Sequence, residues 1–158
     1  MSSICFKISV VFLIIVIVAS VRYAMQMRRI AILKDKLQTI QLYALQNQST
    51  QYSVIKRAIH DLKIKHSSVA GMTINKKYIK LCYTDMRDDM NDIFYVLLHE
   101  LAHIISNSWG HGKEFVVSLN ELLRLAIESG AYVVNRKPGK VCGTHVGNYP
   151  QIYYNNSK

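Results

Sequence analysis

Cysteine is scarce in this chain, three residues in 158, and the scarcity removes one class of architecture. Cys5 falls in an apolar stretch, which leaves Cys82 and Cys142 for everything downstream. Two cysteines close at most one disulfide, so a disulfide-knit framework is excluded and a reduced compartment is compatible with the composition. No segment repeats. Glycine and proline are absent from Ala24 to Asn47, so nothing there interrupts a helix. Acidic residues are few, 10 against 20 Lys and Arg, for a formal net charge of +10. That excess is divided: residues 1–50 hold six basic and one acidic side chain, residues 51–158 fourteen and nine. Half of it therefore lies where anionic lipid would attract it. The rest includes Lys76, Lys77 and Lys80 in an expected hairpin and Arg136, Lys137 and Lys140 in a loop. These could line a groove for nucleic acid or an acidic substrate. No nucleic-acid-binding motif accompanies them, and solvated lysines on an ordinary surface are the better-supported reading. Nucleic acid is thus a weak candidate partner.

What the chain has in excess is apolar sequence at its start. Ile8–Val21 reads ISVVFLIIVIVASV, and from Ile4 onward only Lys7 interrupts the run. The length is near the lower limit for a membrane-spanning helix, and Lys7 can snorkel to the headgroups. The rival is a signal peptide cleaved near Val18-Ala19-Ser20, which would leave a secreted or lumenal product. A retained single-pass anchor over residues 1–21 is the favoured expectation. Arg22, Arg28, Arg29, Lys34 and Lys36 follow the span, so the positive-inside rule puts the C-terminal part in the cytosol.

Residues 22–50 are expected to form a juxtamembrane helix and a linker. Ile30, Leu33, Leu37, Ile40 and Ala44 recur at alternating spacings of three and four, a narrow apolar seam. Such a seam either packs on the following domain, the favoured reading, or pairs two chains as a dimerising stalk; the oligomeric state stays open. Asn47–Gln51 is polar and reads as the linker.

Residues 51–158 suffice for one small core. Ser53–Lys65 carries Val54, Ala58, Ile59 and Leu62 on one helical face. Val69–Asn75 and Lys77–Thr84 read as two strands around a turn near Asn75-Lys76. A strongly apolar helix follows through Ile105, its start capped by Asn91 or Asp92. Another starts near Lys113, with Phe115, Val116, Leu119, Leu122, Leu123 and Ala126 on one face. After Gly130 a short strand (Ala131–Val134), a turn at Pro138-Gly139 and an irregular tail are expected. His60 and His66 are read as surface or core-edge residues without a role. The class is α+β.

Within the apolar helix stands His99-Glu100-Leu101-Ala102-His103, an H-E-x-x-H pattern. Residues four apart share a helix face, so both imidazoles can reach one metal ion. Glu100 can reach the open side of that ion and take a proton from water. Polar groups on a buried helix are costly unless partnered, and a metal supplies the partner. Catalytic zinc usually has three protein ligands, and three histidines suit zinc. His111, in Trp109-Gly110-His111-Gly112-Lys113-Glu114-Phe115, is the best third; its flanking glycines permit a sharp return of the chain. Glu121 is the competitor, set against the simpler reading of an ion pair with Arg124 one turn on. His145 is a more distant option.

His99-Glu100-Leu101-Ala102-His103 followed by Gly110-His111-Gly112-Lys113-Glu114-Phe115 resembles the small zincin metallopeptidases of the SprT-like and WLM families. The likeness covers roughly residues 52–130 in layout. It implies a minimal zincin domain: a helix, a small β-sheet, the active-site helix and a closing helix. It also implies His99, His103 and His111 as zinc ligands, Glu100 as catalytic base, and a protein or peptide substrate. Val141-Cys142-Gly143-Thr144 and Asn148-Tyr149-Pro150 look like the tails of metallopeptidases encoded by large DNA viruses. In zincins an edge strand beside the metal holds the substrate, and the hairpin is the candidate for that role. Tyr132 or Tyr149 could stabilise the tetrahedral intermediate. Family members that repair DNA–protein crosslinks carry nucleic-acid-binding extensions; here an apolar N-terminus stands instead. The expectation is a membrane-anchored zinc metallopeptidase. One alternative is a non-catalytic zinc-stabilised scaffold, with His145, Cys142 or Glu121 completing a four-ligand shell. The other is a crosslink protease.

Overall fold

In a computed structural model of the protein, residues 2–84, 87–106, 109–134 and 139–146 are described, side chains from residue 7 onward. A single helix, α1 (Ser2–Gln46), opens the chain. Its first part is bare: Ile8, Phe12, Ile15 and Val18 are all exposed. The helix is long and apolar enough to cross a membrane. Its second part behaves differently. Leu33, Leu37, Ile40 and Ala44 are buried among the residues of the domain core. The seam is therefore satisfied inside one chain, against α2, α3 and α4, and the dimerising-stalk reading loses the surface it needed. For the same reason the folded unit does not begin at residue 51; it includes the second part of α1.

After a turn come α2 (Tyr52–His60), β1 (Lys63–His66), β2 (Gly71–Ile74) and β3 (Tyr78–Leu81). The helix expected over Ser53–Lys65 stops at His60, where the Asp61 N–H closes onto the Arg57 carbonyl. Ile64 then pairs with Ile79 in a parallel ladder, so Lys63–His66 is a strand. Sheet order is β1-β3-β2, with β2 antiparallel to β3. The expected turn is present, with Asn75 and Lys76 both left-handed (φ 50° and 51°), as a tight antiparallel hairpin requires.

Helix α3 (Met90–Ile105) runs through the core with Ile93, Phe94, Leu97, Leu98 and Leu101 fully buried. Its cap is Asp89, whose Oδ1 accepts from the Asn91 N–H at 2.7 Å, two or three residues earlier than the sequence suggested. Asn91 instead holds the chain at Val133, donating to its carbonyl and accepting from its N–H. Those bonds, with Tyr132 N–H donating to the Ala126 carbonyl, leave no ladder for the strand expected over Ala131–Val134, and none forms. Helix α4 (Lys113–Glu128) packs along α3 through Phe115, Leu119, Leu122 and Ala126. A small hairpin, β4 (Lys140–Val141) and β5 (Thr144–His145), follows, turned by Cys142 and Gly143 at positive φ. Of the Pro138-Gly139 turn, Pro138 lies outside the described residues; the Gly139 carbonyl accepts from Val146. Cys82 and Cys142 are joined in a disulfide that ties this hairpin to the end of β3. A structural disulfide belongs to oxidising compartments, so the bond runs against the reduced setting that the composition allowed. The fold is α+β, one long apolar helix leading into mixed helices and small sheets.

Candidate active site

The C-terminal part of α3 presents His99 and His103 on one face, as their spacing requires, with ring centroids 5.2 Å apart. Beyond α3 the chain returns through Gly110, whose φ of 79° is open to glycine at no steric cost. Gly112 is the N-cap of α4 in ordinary extended geometry and needs no special freedom. The return carries His111 over the other two rings, at centroid distances of 5.0 Å from His99 and 4.9 Å from His103. Its Nε2 lies 3.1 Å from Nε2 of His99. A hydrogen bond between two such nitrogens needs one of them protonated and serves only that pair. The three imidazoles offer nitrogens within 4.8 Å of one another, a grouping that could hold one shared cation. Tetrahedral zinc at its usual bond lengths holds neighbouring nitrogens about 3.3 Å apart.

Phe115 is the floor of this cluster. It is buried, one turn beyond His111, with its ring 4.3 Å from that of His103, 4.6 Å from His111 and 4.9 Å from His99. That packing fixes the imidazoles and explains the spacing of His111 and Phe115. Burial, and then the nearness of the other two histidines, lowers the His99 pKa to about 4. Burial chiefly, then His111 and Lys76, lowers that of His103. Both rings are thereby kept neutral with a lone pair free, the form that binds metal. The donor set fits zinc.

Glu100 points to the other side, toward β2. Its carboxylate Oε2 and its own backbone carbonyl both lie 2.8 Å from the Thr73 hydroxyl, which can donate to one at a time. Burial raises the Glu100 pKa, partly offset by the Thr73 hydrogen bonds and the charge at His111. Gly71, two residues back on the same face of β2, leaves room for the carboxylate. A Cβ there would stand 2.9 Å from Glu100 Oε1 and 2.5 Å from Val96 Cγ1. Neither Gly71 nor Thr73 was singled out from the sequence; a glycine and a hydroxyl two apart in a strand is the only signal there. β2 is an edge strand of the sheet, beside the candidate site, as the expected substrate-holding hairpin needs.

The other candidate ligands are engaged elsewhere. Glu121 makes two bonds to Arg124, 2.8 and 3.0 Å, and accepts from Ser49 at 3.2 Å. The Arg124 guanidinium, first among the causes, holds its carboxyl below the usual range. Cys142 is bonded to Cys82, and His145 is exposed on β5. Among the described residues no fourth side chain completes the histidine cluster. Tyr132 is buried with its ring 6.2 Å from Tyr95, one ring removed from His99, and Tyr149 lies outside the described residues. His60 pairs with Asp61 on the surface, and exposed His66 meets Thr84.

The chain is 43% identical over 70 residues to a protein described as uncharacterized protein 042R of Invertebrate iridescent virus 3, a match covering 42% of this chain and 43% of that one. It is 39% identical over 68 residues to uncharacterized protein 136R of Invertebrate iridescent virus 6, covering 39% and 38% respectively. The match thus spans less than half the length of either viral relative. No protein-family model and no solved structure matches the chain.

Proposed function

We propose that the protein is a membrane-anchored zinc metallopeptidase that hydrolyses peptide bonds. The observation that carries this reading is the convergence of His99, His103 and His111 on one point, with Glu100 next to His99 on the same helix and its carboxylate held by the Thr73 hydroxyl on β2. The three imidazoles would hold the metal, and Phe115 keeps them in register. Bound zinc supplies Lewis acidity and a water of lowered pKa. Glu100 takes the proton from the attacking water onto its carboxylate and passes it to the leaving amine. The Thr73 hydroxyl stands within reach to orient that carboxylate. The edge strand β2 offers free backbone groups that could pair with an extended peptide. The bare N-terminal part of α1 would be the anchor, and both viral relatives agree with a viral setting for the chain.

The test is Glu100→Gln in the full-length chain in detergent micelles, with zinc content and hydrolysis of a denatured protein measured side by side. About one zinc per chain is expected in parent and variant, since Glu100 is no ligand, with cleavage reduced by about a thousandfold or more. Cleavage by the variant equal to the parent's would overturn the mechanism.

A further inference from the structure

Next to the candidate site is a groove of about 1220 Å³ that nothing so far accounts for. It begins where the site ends: Ile104 and Ile105, directly after His103, form part of its floor. Val54 and Leu62 from the α2 side and Val117 from α4 continue the floor. Val54 is 39% exposed and Val117 65%, so this is aliphatic surface left open to solvent. The rim is basic. Arg57 and Lys63 stand on one side, the Lys76-Lys77 turn at the end of β2 on another, and Lys113 at the start of α4. Against five basic side chains the groove has two acidic ones, Asp61 and Glu114. Asp61 is met by its own neighbour, His60, at 2.8 Å. Lys76 joins groove and site: its ammonium donates to the Ser106 carbonyl and lies 5.3 Å from the centroid of the exposed Trp109 ring.

We propose that this groove binds an acidic segment of the peptide substrate, with alternating apolar and carboxylate side chains, and so sets the substrate class. The proposal rests on the peptidase reading. A peptide paired along β2 leaves that strand at Ile74 and meets the Lys76-Lys77 turn, where the groove opens. Aliphatic side chains of the segment remove Val54, Ile105 and Val117 from water. Its carboxylates meet Lys63, Lys77 and Lys113, which speeds encounter and excludes basic sequences. A nucleic-acid strand fits less well. Binding of single strands draws on aromatic stacking platforms, and the described residues of this lining are mainly aliphatic and charged, with Tyr78 and the His60 ring the aromatic side chains and Trp109 at the edge beside Lys76.

The experiment uses full-length Glu100→Gln protein with zinc, in detergent micelles, so that binding is read without turnover. The probes are a fluorescein-labelled peptide alternating leucine and glutamate, one alternating leucine and lysine, and labelled oligothymidylate. Fluorescence anisotropy should show the acidic peptide bound most tightly, and Lys63→Glu with Lys77→Glu together should weaken it about tenfold. Lys80→Glu, exposed and outside the groove, should leave it unchanged. Zinc content and the unfolding temperature confirm that the double variant is folded, and Val117→Asp is a second, single-site probe of the floor. Equal affinity for acidic and basic peptides, acidic-peptide binding untouched by either groove variant, or tighter binding of oligothymidylate would each overturn the proposal. Failure of cleavage by the parent would count against the peptidase reading and leave this binding result standing.

Discussion

Gly71 shows how tightly the candidate base is set. Its missing Cβ is the space in which the Glu100 carboxylate and Val96 meet the sheet. Gly71→Ala must therefore push one of them away. Overpacking of this kind costs about 1–3 kcal/mol. The expected outcome is a lowered unfolding temperature together with lost cleavage and retained zinc, read by thermal unfolding, peptide hydrolysis and metal analysis. A variant as stable and as active as the parent would show that Glu100 does not sit there. At this scale the sequence was partly legible. His99, Glu100 and His103 announce themselves because helix spacing alone places them together. Thr73 and Gly71 do not, because their role depends on β2 lying across α3, a contact between residues far apart in the chain. Arg29, buried and donating to the Tyr83 and Asp88 carbonyls, is hidden for the same reason: in sequence it is one more basic residue after a hydrophobic run.

Among the elements, α3 and α4 were readable from apolar spacing, and β2 and β3 from their turn. The end of α2 was not, since Leu62 and Ile64 suit the helical face and the strand equally well. The strand β1 owes its existence to pairing with β3. The second part of α1 carries the sharpest prediction at this scale. Leu37 is 2% exposed inside the core, while Leu42, on the same helix, is 51% exposed. Leu37→Ala should cost about 2–5 kcal/mol, the usual range for a buried leucine, and Leu42→Ala close to nothing. Denaturant unfolding of the full-length chain in micelles measures both. Equal effects would mean that the seam is not part of the core. The basic residues of this stretch are also divided between roles. Arg29 and Lys36 are used in docking, Lys36 on the Ala131 carbonyl and over the Phe94 ring, while Arg28 and Lys34 stay exposed.

For the whole molecule, the disulfide is the long-range tie. Cys82 and Cys142 are 60 residues apart, and closing a loop of that size stabilises a fold by about 4 kcal/mol on a chain-entropy account. Cys142→Ser should lower the unfolding temperature, and adding reductant to the parent should bring it to the same value. If reductant had no effect on the parent, the bond would contribute nothing. Composition could only bound the number of bridges at one; that these two residues meet follows from the β4–β5 hairpin, whose two-residue turn at Cys142 and Gly143 was not anticipated. On the anchor reading, the bond and the basic flank of α1 make opposite demands on the side of the membrane the domain would face. Alkylation of intact cells before lysis, followed by a non-reducing gel, reads which demand prevails. The stable pairing in the fold leads us to expect the oxidised form.

The unbroken course of α1 has a consequence for direction as well as support. Arg29 touches Asp88, at the start of α3, and Lys36 lies against Phe94 further along, so the two helices advance side by side. His99 and His103 lie further still in that sense, about 30 Å of helix beyond Val21 at 1.5 Å per residue. With the first part of α1 in a bilayer, as proposed above, the site would stand off the membrane at the end of a continuous helix. It also holds a fixed bearing, because no glycine or proline between Val21 and the core lets the domain swivel. One residue added between Val21 and Arg29 would swing the site by about 100° around the helix axis, and seven would bring it nearly back. On the anchor reading α1 would act as a compass needle: whatever fixes its rotation in the membrane would also decide which molecules the site faces.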